Sequence, residues 1–105
     1  MRGLFVVRLH KMFRAPSSRS QLISALRVLA TRDPTSQEEL DTLVNDCASL
    51  SQHIQISPTL ASSIPEVVWH FLSDADIRFK DPRYAAMQLE GFRSALAKWE
   101  RESAA

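Results

Sequence analysis

Apolar residues recur every three or four positions along most of this chain, which is the spacing that places them on one face of an α-helix. The first such stripe predicts a helix over about residues 19–31. Its apolar face comprises Leu22, Ile23, Leu26, Leu29 and Ala30. Asp33 and Pro34 end this helix, because the residue before a proline disfavours the α region.

The next stripe predicts a second helix that begins at Thr35 or Ser36 and fades near Gln52. Thr35 and Glu38 have the spacing of a capping box, in which each side chain satisfies a free amide of the first turn. The buried face is predicted to comprise Leu40, Leu43, Val44, Cys47 and Leu50.

Residues 53–62 interrupt the helical periodicity. Ile54 and Ile56 alternate with polar residues, but no second stretch of this kind provides a strand partner. We therefore predict a loop, with both isoleucines tucked under the core and Pro58 opposing regular structure.

A third helix is predicted to start at Ser63, whose spacing to Glu66 again suits a capping box. Its apolar face comprises Ile64, Val67, Val68, Phe71, Leu72 and Ala75. Because no glycine or proline follows before residue 82, we expect this helix to continue to about Phe79. A break at Ser73 and Asp74 is the alternative.

Asp81 followed by Pro82 predicts the start of a last helix, which runs to about Glu102. Its apolar face comprises Ala85, Leu89, Phe92, Leu96 and Trp99. Four amphipathic helices with short connections bury their stripes by packing together. The sequence therefore predicts an all-α protein, with a four-helix bundle-like domain over residues 19–105 after a basic arm and linker over residues 1–18.

Composition agrees with this class. A chain of 105 residues with 45% hydrophobic content suits one soluble domain. Only two glycines occur, whereas tight β-hairpins usually need them. Cys47 is the single cysteine, so no intrachain disulfide can form, and no apolar run approaches the roughly 20 residues that cross a bilayer. We expect a reducing, cytoplasmic location.

Charge is divided unevenly along the chain. The first 32 residues hold seven basic residues and no acidic one, while all 12 acidic residues lie from Asp33 onward. Such a split indicates a targeting segment, an anionic partner or self-association. Three of the basic residues, Arg19, Arg27 and Arg32, belong to the first helix and can face the acidic second and last helices. The charges that this leaves unexplained are Arg2, Arg8, Lys11 and Arg14.

These four residues form a candidate anion-binding arm with several interpretations. Lysine and arginine can contact nucleic-acid phosphates, or the arm can lie as an amphipathic helix on a membrane surface. Its acid-poor, arginine-containing character is also similar to that of a mitochondrial presequence. The plainest interpretation is a disordered or loosely docked N-terminal extension, and translation that starts at Met12 instead of Met1 is one explanation for its presence.

The residues that most often bind transition metals or act as nucleophiles are sparse. His10, His53, His70 and Cys47 are not paired at spacings typical of metal sites. Cys47 falls within an apolar stripe, which predicts a buried, inert thiol. We therefore predict no metal and no cofactor.

Asp74 and Asp76 begin the densest acidic group. Residues two apart on a helix point to different faces, and basic residues follow closely, so a solvated ion-pair network is the simplest interpretation. We predict that the protein is not an enzyme. An enzyme that uses Asp74, Asp76 and His70 is the remaining catalytic hypothesis.

Trp69 falls at the flank of the third apolar stripe. Tryptophans at such positions either seal the edge of a small core or serve as interface hot spots. We predict that Trp69, Phe79 and Tyr84 bind a partner near the corner between the third and last helices. The expected function is that of a small interaction or regulatory module without catalytic activity, which binds another protein or a second copy of itself. The alternative is a nucleic-acid-binding accessory protein that uses the basic arm.

Overall fold

The structure, a computed structural model, describes residues 16–104 and the side chains as far as Glu102. Within that range it contains six helices and no strand. The helices are α1 Arg19–Ala30, α2 Gln37–Gln55, α3 Pro58–Ala61, α4 Glu66–Ser73, α5 Ala75–Lys80 and α6 Pro82–Ala104. The predicted all-α class is confirmed. The finer bundle arrangement and the division at residue 18 stay predictions.

The helices form a slab of 43 × 34 × 19 Å. Its thickness suits about two layers of helices, each roughly 10 Å across. Helix α6 contacts α1, α4 and α5, and α2 contacts α3, α4 and α5. Helices α4 and α5 therefore lie between the two longest helices.

The predicted stripes supply the core. Phe71 of α4 and Phe92 of α6 stack with their ring centroids 3.8 Å apart, and both are fully buried. Cys47 of α2 is also fully buried, and burial raises the pKa of its thiol to about 11. The thiol is therefore protonated at neutral pH and has little thiolate character.

Helix α1 begins at the predicted residue. Ser18 caps it, because its Oγ accepts a hydrogen bond from the Gln21 amide at 3.2 Å. Just before the helix, the Pro16 carbonyl accepts a hydrogen bond from Nε2 of His53 at 2.8 Å. This contact ties the entry of α1 to the end of α2.

The predicted cap of α2 was wrong by one residue. Ser36, not Thr35, is the N-cap, and its Oγ accepts a hydrogen bond from the Glu39 amide at 3.2 Å. Oε1 of Glu39 in turn accepts from the Thr35 amide at 2.7 Å. The error arose because the same spacing of hydroxyl and carboxylate occurs twice, shifted by one position.

Helix α2 also continues past the predicted end near Gln52, to Gln55. It buries Ile54 completely but leaves Ile56 79% exposed, so the prediction that both isoleucines lie under the core was wrong for Ile56. Positions two apart on a helical path point in different directions. Val44, predicted in the buried face, is 39% exposed.

The chain between α2 and α4 contains the unpredicted helix α3, which buries Leu60. The predicted cap of the following helix was wrong as well. Oγ of Ser63 donates to the Leu60 carbonyl at 3.1 Å, so the hydroxyl completes the end of α3. Helix α4 begins at Glu66 with Pro65 as N-cap and no side-chain cap bond.

The expected continuation of this helix to Phe79 was also wrong. Helix α4 ends at Ser73 and α5 begins at Ala75, which is the alternative break. Asp74 lies between them with φ −109° and ψ 18°, outside the helical region. Its side-chain contacts, described below, give the physical reason.

Asp81 caps α6 as predicted. Its Oδ1 accepts hydrogen bonds from the amides of Arg83 and Tyr84, each at 3.1 Å. Helix α6 then runs to Ala104, two residues beyond the predicted end.

The arginines of α1 and Arg32, just after this helix, face the acidic helices, as the charge pattern predicted. Arg27 forms two 2.9 Å hydrogen bonds with Glu100 of α6. Arg32 contacts Asp46 of α2 at 2.5 Å. Arg19 also faces α6, but its guanidinium lies 5.6 Å from the centroid of a tryptophan ring, that of Trp99. Part of the charge split is therefore used inside the fold.

Candidate functional site

A polar cluster, formed by Asp74, Arg78, Tyr84 and Gln88, lies where α4, α5 and α6 meet. Gln88 is only 8% exposed. Its Nε2 donates to Oδ2 of Asp74 at 2.9 Å, and its Oε1 accepts from Nη1 of Arg78 at 2.6 Å. The Tyr84 hydroxyl donates to the same Asp74 oxygen at 2.6 Å. The cluster therefore joins α6 to both sides of the break.

These contacts explain why the third predicted helix does not continue. In an unbroken helix, Asp74 and Arg78 would be an i,i+4 ion pair. Instead, Gln88 links the two, and Nη1 of Arg78 also donates to the Phe71 carbonyl at 2.7 Å. That carbonyl lies in the last turn of α4, where its backbone partner is the Asp74 amide at a long 3.5 Å. Contacts with α6 thus replace helical continuity at Asp74.

The cluster holds its charges in place and does not prepare them for proton transfer. The hydrogen bond from the Tyr84 hydroxyl, with those from Gln88 and Ser73, lowers the pKa of Asp74. The same bond to Asp74 raises the pKa of Tyr84. Burial lowers the pKa of Arg78. A carboxylate that accepts several hydrogen bonds in its charged form is a weak base, which indicates a structural role.

A cleft of about 250 Å³ opens beside this cluster. We call it the arginine cleft, because Arg32 and Arg78 line it, together with Asp33. Its apolar lining includes Leu29, Leu43, Phe71, Phe79, Ala85 and Leu89. Phe79 is 37% exposed, so it presents aromatic surface to solvent at the cleft.

The three predicted partner-binding residues have three different environments. Phe79 lines the arginine cleft. The Tyr84 hydroxyl is used within the polar cluster. Trp69 is partly buried and packs against the core. The predicted anion-binding residues Arg2, Arg8, Lys11 and Arg14 lie outside the described residues.

The residues of the catalytic hypothesis are placed as follows. Asp74 belongs to the polar cluster, and Asp76 is exposed on α5. His70 is exposed, with its Nε2 3.6 Å from Oε1 of Glu66. Across residues 16–104, no three His, Cys, Asp or Glu side chains come together as metal ligands would.

Sequence reasoning missed the residues that organise this region, Gln88 and Arg78. The register of the last stripe contained a signal for Gln88, because it lies three residues after Ala85 and four before Phe92. A polar residue on a buried face usually requires hydrogen-bond partners. No comparable signal identified Arg78, since local spacing assigned it to an exposed ion pair.

Comparisons with known proteins return no similarity: no family model matches the chain, and neither does a curated protein or a solved structure. The site is therefore interpreted from its own geometry. Among the described helices, none combines the length and apolar character that a membrane span needs. The cytoplasmic location stays a prediction.

Proposed function

We propose that this protein is a small interaction module that binds another protein through the arginine cleft and has no catalytic activity of its own. The observation that supports this most is the partly exposed Phe79 in a cleft whose lining combines apolar side chains with Arg32, Asp33 and Arg78. Aromatic anchors and the pockets near them dominate the binding energy of many interfaces. The occupant that we propose for this cleft of about 250 Å³ is a side chain of the partner.

The described side chains with reactive groups favour binding over catalysis. The Cys47 thiol is buried with a raised pKa. His53 is engaged by the Pro16 carbonyl, and the Asp74 carboxylate is occupied by donors of the polar cluster. Nucleophilic and general-base catalysis need such groups accessible and poised near neutral pH.

The test compares two substitutions of exposed apolar residues. Phe79→Ala removes the ring at the cleft, while Met87→Ala removes an apolar side chain that is 64% exposed and does not line the cleft. Each tagged variant and the parent protein are used for affinity purification from the native cell. Enriched proteins are then purified, and their binding is measured by titration calorimetry.

The expected result is a direct partner that binds the parent and Met87→Ala equally and binds Phe79→Ala at least about tenfold more weakly. Circular dichroism and urea unfolding confirm that both variants remain folded. Partners that bind all three proteins with equal affinity would overturn the placement of the interface at the cleft.

The alternative prediction, nucleic-acid binding through the basic arm, concerns residues outside the described part of the chain. Titration with duplex and single-stranded DNA at two salt concentrations tests it. Salt-sensitive binding that disappears when residues 1–15 are deleted would support it.

A further inference from the structure

Arg78 belongs to both the polar cluster and the lining of the arginine cleft. Its guanidinium carbon lies 4.1 Å from the centroid of the Phe71 ring. Its two hydrogen bonds both use Nη1 and both go to neutral acceptors, the Phe71 carbonyl and Oε1 of Gln88. The other N–H groups of this guanidinium make no hydrogen bond within the described residues. Arginine carries five such donors in a planar fork.

Arg78 differs from Arg27 and Arg32 in having no direct carboxylate partner among the described residues. Arg27 pairs with Glu100 and Arg32 with Asp46. In the described chain, no carboxylate oxygen lies within the 4.0 Å of an ion pair with Arg78, and Asp74 is held by Tyr84 and Gln88 instead. The undescribed residues 1–15 include no Asp or Glu. A partly buried charge without a direct ion-pair partner favours binding of an anion.

The surroundings of this guanidinium limit the kind of anion that fits. Most of the cleft lining is apolar, and its other charged residues are Arg32, which contacts Asp46, and Asp33. Two aspartates also attract Arg78 electrostatically: Asp76 within α5 and Asp74 just before it. A small carboxylate attached to an apolar group would place its charge on Arg78 and its carbon atoms against Phe79 and Leu89. A highly charged phosphate would face Asp33 and an apolar wall.

We propose that the arginine cleft recognises an acidic side chain next to a bulky apolar residue in a docking segment of the partner protein. The carboxylate accepts hydrogen bonds from the outer N–H groups of Arg78. The apolar residue packs on Phe79. This inference rests on the proposed function and specifies the chemistry of the partner.

The test uses three short peptides as probes. The first is N-acetyl-glutamyl-phenylalanine amide, and the second is its glutaminyl counterpart, which lacks the charge. The third is N-acetyl-glutaminyl-phenylalanine with a free terminal carboxylate. Binding to the full chain is followed by ¹H–¹⁵N chemical-shift titration, with the amides of Phe79, Ala85 and Leu89 reporting on the cleft.

We expect the glutamyl amide to bind at least about tenfold more tightly than the glutaminyl amide, since hydrogen bonds to charged groups are the stronger ones. If the probe with the terminal carboxylate binds more tightly than the glutamyl amide, the cleft recognises a chain end. That result would overturn the proposed occupant, an acidic side chain. Equal affinity for all three probes, or shifts confined to other surfaces, would overturn the inference itself.

Variants separate the guanidinium from general charge effects. Arg78→Gln should abolish the preference for the glutamyl probe, whereas Arg83→Gln, which removes the same charge from an exposed position of α6, should preserve it. Arg78→Lys retains the charge and should reduce the preference without abolishing it. If Arg78→Gln does not fold, the decision comes from Arg78→Lys and Arg83→Gln: a preference equally large in both variants would overturn the role of the Arg78 guanidinium.

The two proposals fail in distinguishable ways. If Phe79→Ala loses partner binding but all probes bind equally, the proposed interaction module is supported and recognition of a carboxylate is overturned. If the glutamyl probe is clearly preferred but Phe79→Ala binds partners as the parent does, the carboxylate site is supported. The proposal that the cleft is the protein interface is then overturned.

Discussion

Helix α6 contacts α1 on one side and α4 and α5 on another, and the two contacts use arginine in different ways. At α1, Arg27 and Glu100 form an ion pair whose side chains are 47% and 54% exposed. At α4 and α5, Arg78 is partly buried and is held by neutral acceptors. Exposed ion pairs add little stability because solvent screens them, whereas a buried polar group that loses its partner is strongly unfavourable. The second contact should therefore dominate the stability of the fold.

The largest effect is expected from the apolar part of the second contact. Phe92→Ala removes one ring of the Phe71 stack and leaves a cavity, so the free energy of unfolding should fall by about 3–5 kcal/mol. Urea unfolding measures the change. Phe92→Leu should lose less than half as much free energy of unfolding as Phe92→Ala. A loss no larger than that of Val28→Ala, at a position 41% exposed, would contradict the packing described here.

The next largest effect is expected from the polar cluster. Gln88→Leu preserves much of the side-chain volume but leaves Asp74 and Arg78 without a shared partner, so the free energy of unfolding should fall by about 2–3 kcal/mol. Gln52→Leu is the matched control, because Gln52 is exposed on α2. Equal stabilities of the two variants would mean that the cluster contributes nothing to the fold.

The Asp74 carboxylate should make part of this stability depend on pH. Its hydrogen bond from Tyr84 lowers its folded-state pKa below the ordinary value of 3.8. The contribution is therefore present above the unfolded-state pKa and is lost as pH falls through the folded-state pKa. Asp74→Asn should destabilise the protein at neutral pH, and its difference from the parent should shrink below about pH 4.

Stability measured at several pH values checks this prediction, with Asp76→Asn as the control at an exposed position of α5. A difference between Asp74→Asn and the parent that stays constant from neutral to acidic pH would show that the hydrogen bonds of the cluster do not depend on the carboxylate charge.

The smallest effect is expected at the contact of α6 with α1. Arg27→Ala removes the exposed ion pair, and the urea midpoint should stay within experimental error of the parent. High salt should leave this result unchanged, because solvent already screens the pair. A shift as large as that of Gln88→Leu would reverse the ranking of the two contacts.

Much of the fold could be predicted, because helical spacing is a local property. The stripes around Leu22, Leu43 and Phe92 identified the main helices, and Asp81 identified the start of α6. Errors occurred where two local signals had equal strength, as at Thr35 and Ser36, or where a hydroxyl had a competing acceptor, as at Ser63. Local spacing does not decide between such alternatives.

The candidate site could be predicted only in part. Phe79 was recognised as an aromatic residue near the corner of two helices, and it does line the cleft. The role of Arg78 was not predictable, because its acceptor Gln88 lies on another helix. The concave shape of the cleft also depends on how five separate helices pack.

By itself, the sequence determined that the chain is helical, where most helices begin, and that arginines in or just after α1 can meet acidic helices. The physical reason is that periodicity, capping and charge sign act over a few neighbouring residues. Only the tertiary structure decided the break at Asp74, the burial of Gln88 and the lack of an ion-pair partner for Arg78 within the described residues. Those features depend on hydrogen-bond partners 10 to 14 residues away, which meet only when α6 packs against α4 and α5.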